Sequence, residues 1–139
     1  QGRPRGSRES GSSAGSGVYK GHLSDAFRMS WGNDDIVVPL MALGGSGVIS
    51  VWADIAPQTV HDMCHAALAG DFATARRIQL DNQELIHALF CETNPIPVKA
   101  ALAKMNMIKP YYRQPLWPIS AAGDQRLTAA LKGAGLIEK

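Results

Sequence analysis

Gly32-Asn33-Asp34-Asp35-Ile36-Val37-Val38-Pro39-Leu40-Met41-Ala42-Leu43-Gly44-Gly45-Ser46-Gly47-Val48-Ile49-Ser50-Val51 is the stretch that decides how this chain is read. It runs from a polar turn through a short apolar segment and a glycine cluster into a β-branched run. Gly32-Asn33-Asp34 is turn chemistry. Asp34 or Asp35 suits the cap of a short helix over Ile36–Leu43, in which Pro39 is tolerated only in the first turn. Gly44 to Gly47 ends that helix. Val48-Ile49-Ser50-Val51-Trp52 predicts a buried strand of the parallel kind, apolar on both faces. Residues 36–53 carry no charge, close to the roughly 18 residues of a membrane span. Pro39, the glycines and Ser50 argue instead for helix, turn and strand in a soluble core.

Working outward, residues 1–26 form a Gly/Ser/Arg-rich segment with little to bury, so disorder is expected there. Phe27 to Trp31 alternates weakly and predicts a short strand. After the decisive stretch, Pro57 opens a helix to about Leu68, stopped by Gly70. Asp71 caps a long helix from Phe72 to Phe90, with Ala75, Ile78, Leu85, Ala88 and Leu89 on its period. Asn94-Pro95-Ile96-Pro97 breaks it. A helix over Val98–Met105, a loop rich in proline and aromatics (Pro110–Pro118), and a last helix over Gln125–Leu131 capped by Asp124 follow. The expected divisions are therefore 1–26, 27–68 for terminal βα units, and 69–139 for a helical region. Two strands cannot make a closed barrel or a protected sheet. Periodicity alone gives an α/β fragment with a helical C-terminal part.

Composition excludes several function classes. The net charge of +2 is too small for a nucleic-acid or membrane-surface role. Arg3, Arg5 and Arg8 against Glu9 already supply it, so residues 18–139 are neutral. Tyr111, Tyr112, Arg113 and Trp117 lack the basic stripe that nucleic-acid binding needs. Cys64 and Cys91 are the only cysteines; in apolar helical surroundings they read as buried, reduced thiols, which fits a cytoplasmic protein. No secretory leader is visible.

Four spaced motifs carry a family resemblance covering roughly Gly32 to Leu136. They are Gly32-Asn33-Asp34; Leu43-Gly44-Gly45 with Gly47-Val48-Ile49-Ser50-Val51; Asn94-Pro95-Ile96-Pro97-Val98-Lys99-Ala100-Ala101-Leu102; and Arg113-Gln114-Pro115-Leu116-Trp117-Pro118. In this order they resemble the dihydrodipicolinate synthase / N-acetylneuraminate lyase family. The resemblance implies an α/β fold: the last two strands of a TIM (β/α)8 barrel plus its C-terminal helical extension. A complete barrel takes about 250 residues, so a 139-residue chain would hold only part of one.

The resemblance also implies a chemistry. In the family a strand-six lysine forms an imine with pyruvate, and the resulting enamine attacks an aldehyde. The synthases use aspartate semialdehyde on the way to lysine; the lyases cleave sialic acid. No cofactor and no metal is implied, and the parent enzymes often assemble as tetramers. The matched substrate-binding positions are Ile49, through its backbone carbonyl, and Gly32, with Asn33 beside it.

No catalytic residue is assigned. One βα unit takes about 30 residues, so the lysine should lie nearly that far before Gly32. Lys20 is the only lysine ahead of Gly32 and stands 12 positions away (32 minus 20), in Val18-Tyr19-Lys20-Gly21-His22. That context lacks the family's Gly-Ile/Val-Lys-Glu pattern, and Tyr19 does not match the proton-shuttling tyrosine either. The expectation is a fragment of a Schiff-base lyase, inactive alone, whose abrupt likeness from Gly32 fits a truncated or frame-shifted reading, with residues 1–26 disordered or out of frame. The alternatives are the sialate-lyase branch and, from another class, a non-catalytic helical oligomerisation module.

The remaining constellations read as structure. His61 and His65 at i and i+4 can share a metal but have no third ligand nearby in sequence, so they read as surface histidines. His87 and Cys91 read as a packing pair and Lys99 as a helix-surface residue. Ser50 lacks a nucleophile elbow. Gly44-Gly45-Ser46-Gly47 precedes a strand, whereas a phosphate loop follows one.

Overall fold

The computed structural model describes residues 30–138. The predicted 1–26 segment, Tyr19, Lys20 and the first three residues of the predicted strand 27–31 lie outside them. The elements are β1 (Ser30–Trp31), α1 (Val37–Ala42), β2 (Gly47–Val48), α2 (Pro57–Leu68), α3 (Phe72–Asp81), α4 (Gln83–Leu89), α5 (Ile96–Lys104) and α6 (Ala121–Gly133). Short 3-10 turns at Asp34–Ile36 and Trp52–Asp54 lead into α1 and out of β2.

β1 and β2 pair in parallel, Ser30 with Gly47 and Trp31 with Val48. The crossover between them is α1, as a parallel pair requires. α2 packs on α1 and α3, while α4 and α5 pack on α6. One apolar core joins these layers, through Val37, Met41, Trp52, Met63, Ile86, Leu89, Leu127 and Leu131.

Several boundaries follow the expected chemistry. α2 starts with Pro57 in its first turn, where a missing N–H costs nothing. It stops before Gly70, which takes a left-handed φ of 84°. The Asp71 side chain accepts from Thr74 N at 3.0 Å and caps α3.

Several expectations are corrected. The strand predicted over Val48–Trp52 is only Gly47–Val48, and Ile49 is exposed rather than buried. The chain turns because Ser50 Oγ accepts from Ala53 N at 2.8 Å and Asp34 Oδ2 accepts from Trp52 N at 2.9 Å. Neither Asp34 nor Asp35 caps the helix that follows. The helix predicted over 72–90 is two helices, broken at Asn82, whose Nδ2 donates to the Ile78 carbonyl at 2.9 Å. Its side chain competes with the backbone for helical carbonyls, the known liability of asparagine within a helix.

α6 begins at Ala121, earlier than predicted, and its cap is Ser120, whose Oγ accepts from Gly123 N at 3.1 Å. Asp124 lies in the first turn instead, 2.9 Å from Lys104 Nζ. The cysteines are free but only half-buried, and His87 is exposed, with Nε2 3.1 Å from Gln83 Nε2.

Candidate functional site

The parallel register carries two residues past the ends of their strands on the same side. Gly32 follows β1 and Ile49 follows β2. A Cβ placed on Gly32 would lie 3.9 Å from the Ile49 carbonyl oxygen. The absence of a side chain at Gly32 therefore leaves that carbonyl open on its β1 side. Carboxyl ends of parallel strands are where α/β folds present polar backbone groups to ligands. Asn33 stands beside Gly32, exposed and extended (φ −113°, ψ 111°), and its side chain caps nothing.

Asp34 ties the two strand ends together, and sequence reasoning missed it. Its side chain is 0% exposed. Oδ2 accepts from Trp52 N across 18 residues of sequence. One anchor point thus lies two residues beyond Gly32 and the other three beyond Ile49, so the Gly32–Ile49 gap is closed behind by a buried hydrogen bond. Oδ1 has no protein partner among the described residues, nor has the buried Trp52 Nε1. The only signal available was an acid pair at the mouth of the charge-free run 36–53.

Gln79 was also missed. From α3 its Oε1 accepts from Val38 N at 2.8 Å, and its Nε2 donates to the Asp35 carbonyl. It satisfies a first-turn N–H of α1 that has no intrahelical partner. Cys64 lies close enough to feel Asp34: burial pushes its thiol up, and the carboxylate adds to the effect.

The other sequence candidates are structural in their placement. His61 and His65 are exposed with ring centroids 5.5 Å apart, and His61 Nδ1 lies 3.1 Å from Asp62 Oδ1. No group of three or more His, Cys, Asp or Glu among the described residues is placed to hold a metal ion. Lys99 Nζ sits over the rings of Tyr112 and Tyr111, at 5.3 and 6.0 Å. An apolar cleft of about 520 Å3 between α1 and α3, lined by Val38, Pro39, Ala42, Phe72 and Leu80, does not include Gly32 or Ile49. No helix among the described residues is long and apolar enough to cross a membrane.

Parallel strands with adjacent carboxyl ends, an α1 crossover and a following helical body define part of an α/β fold. The family model described as "Dihydrodipicolinate synthetase family" matches residues 18–134, so the likeness begins ahead of Gly32, where out-of-frame sequence was expected, and the chain belongs to that family. It is 47% identical over 114 residues to 4-hydroxy-tetrahydrodipicolinate synthase 1 of Clostridium acetobutylicum, covering 82% of this chain and 39% of that protein.

Among solved structures, the dihydrodipicolinate synthase of Aquifex aeolicus superposes with a TM-score of 0.82 at 38% identity, covering 86% of this chain and 41% of that one. The chloride-inhibited Acinetobacter baumannii enzyme, complexed with pyruvate, superposes at 0.77 with 40% identity, covering 80% and 38%. These neighbours have the TIM-barrel fold, and the match falls in their C-terminal part. The chain spans about two fifths of the length of the relatives it matches.

Proposed function

We propose that residues 30–138 form one wall of a pyruvate-handling lyase site, in a reaction like that of 4-hydroxy-tetrahydrodipicolinate synthase. The observation that carries this reading is the Ile49 carbonyl facing the bare backbone of Gly32 at the carboxyl end of a parallel pair. In the proposed role the carbonyl is a fixed acceptor. It orients the amine that condenses with the pyruvate ketone, the two joining as an imine with loss of water. Gly32 keeps space for the small keto acid, and Asn33 borders that space. The amine belongs to a lysine on the preceding strand of the barrel, which no lysine of this chain matches, so this chain alone carries out no condensation. Aspartate semialdehyde is the aldehyde favoured by the identity to the synthases.

A chimera tests the reading. The matched segment of the Clostridium acetobutylicum synthase is replaced by residues 30–138 of this chain, and condensation of pyruvate with aspartate semialdehyde is assayed. The expected result is activity within about tenfold of the parent, a barrier change of about 1.4 kcal/mol or less. Gly32→Val in the chimera crowds the carbonyl and raises KM for pyruvate. A folded chimera that forms no imine contradicts the reading.

A further inference from the structure

Val60, Met63 and Ala67 turn one face of α2 into the core. His61 and His65 stand four residues apart on its outer face, both exposed, so successive helical turns set one ring above the other. The ring centroids are 5.5 Å apart, with the planes tilted by 32°. Two imidazoles that share one ion at about 2.0–2.1 Å, with tetrahedral or trigonal angles, hold their centroids roughly 5–5.5 Å apart. The rings therefore already stand at chelating distance. Only the broad terminal torsion of each histidine has to turn to aim its nitrogen.

Asp62 selects which nitrogen of His61 is free. Its Oδ1 lies 3.1 Å from His61 Nδ1 and accepts from Gln58 Nε2 at 2.7 Å. A carboxylate only accepts, so Nδ1 carries the proton and Nε2 keeps its lone pair for a ligand. A carboxylate behind the ring is the arrangement that orients metal-bound histidines and makes them better donors. Imidazole nitrogen suits nickel, copper and zinc, whereas magnesium and calcium take oxygen. No group of three or more His, Cys, Asp or Glu gathers here among the described residues, so water completes the shell around two protein ligands.

We propose that His61 and His65 form a two-histidine site for a divalent transition-metal ion of the nickel, copper and zinc class, with Asp62 positioning His61. The ion bridges one turn of α2. The unfolded chain does not hold the two rings in this register, so binding stabilises the fold. The site lies on α2, apart from Gly32, Asn33 and Ile49, and does not depend on the pyruvate reading.

The 139-residue chain is titrated with nickel(II) chloride while the histidine ring signals are followed by NMR and the melting midpoint is measured. The expected result is one ion per chain, with the signals of His61 and His65 perturbed together, ahead of those of His22 and His87. The midpoint rises with nickel concentration. His61→Ala and His65→Ala each weaken binding at least about tenfold, and Asp62→Ala about tenfold, as loss of an orienting partner does. Alanine is the best helix former, so these chains stay folded without metal. Perturbation centred on His22 or His87 overturns the inference. So does displacement of nickel by excess magnesium, a midpoint that nickel leaves unmoved, or a His65→Ala chain of unchanged affinity. An Asp62→Ala chain of unchanged affinity overturns the part given to Asp62.

Discussion

Gln79 on α3 reaches across 41 residues of sequence to accept the Val38 backbone N–H at 2.8 Å. The same side chain donates to the Asp35 carbonyl, so one amide satisfies both a helix N-terminus and the 3-10 turn before it. Gln79 is 5% exposed, which leaves no solvent to replace it. Gln79→Leu keeps the apolar stem and orphans both backbone groups. Unfolding in urea is expected to show a loss of about 1–3 kcal/mol, with amide exchange quickened first at Val38. A loss below about 0.5 kcal/mol would show that the staple contributes little.

Gly123 and Gly133 lie at opposite ends of α6 and should respond oppositely to alanine. A Cβ at Gly123 would run into the Glu92 carboxylate and stand 3.0 Å from Ile119 Cγ1. Glu92 Oε1 accepts from Ser120 N at 3.1 Å and from Ser120 Oγ at 2.5 Å, so displacing it loosens the α6 cap from the end of α4. Nothing lies within 4 Å of a Cβ at Gly133. Thermal melts should show Gly133→Ala stabilised by up to about 1 kcal/mol, and Gly123→Ala destabilised despite its better helix propensity. Equal gains in both would mean Glu92 moves aside at no cost.

The α3 cap should make stability fall with acid. The Thr74 backbone N–H holds the Asp71 carboxyl below the ordinary aspartate value of 3.8. A depressed folded value contributes stability that is whole above 3.8 and is lost as pH falls through the folded value. Asparagine caps almost as well but does not titrate. The melting midpoint of the wild type should therefore exceed that of Asp71→Asn at neutral pH, and the gap should close in acid. A gap independent of pH would remove the cap's charge from the account.

Both thiols should be slow nucleophiles. Burial raises Cys64, with Asp34 adding to it, and burial raises Cys91, with Glu92 adding and Arg126 opposing. Iodoacetamide at mildly alkaline pH should alkylate the folded chain more slowly than the unfolded chain, because only the thiolate reacts. Asp34→Asn should accelerate Cys64 and leave Cys91 unchanged. Equal acceleration of both would indicate general loosening instead.

The sequence made legible what depends on local chemistry. Pro57, Gly70 and Asp71 act through their own turns, so the ends of α2 and the start of α3 could be read directly. The glycine run of 44–47 correctly ends α1 ahead of a strand. The nearness of Gly32 to Ile49 was implied only by the family resemblance, since it depends on strand register and not on local chemistry.

What stayed hidden depends on partners distant in sequence. Asp34 resembles a helix cap until Trp52 N arrives 18 residues later. Gln79 resembles a polar residue on an amphipathic helix until α1 packs against it. The β-branched run from Val48 forecast a longer strand. Propensity describes the fit of side chains to a pleat, and strand length here is set by the Ser50 and Asp34 bonds that turn the backbone.

The central claim is that this chain supplies a wall of the site and not its amine. Incubation of the 139-residue chain with pyruvate and borohydride, followed by peptide mass spectrometry, tests it most directly. Borohydride reduces any imine to a stable secondary amine on the lysine that formed it. The account predicts unmodified lysines throughout; a stoichiometric pyruvate-derived adduct on Lys20, or on any other lysine of this chain, would contradict it.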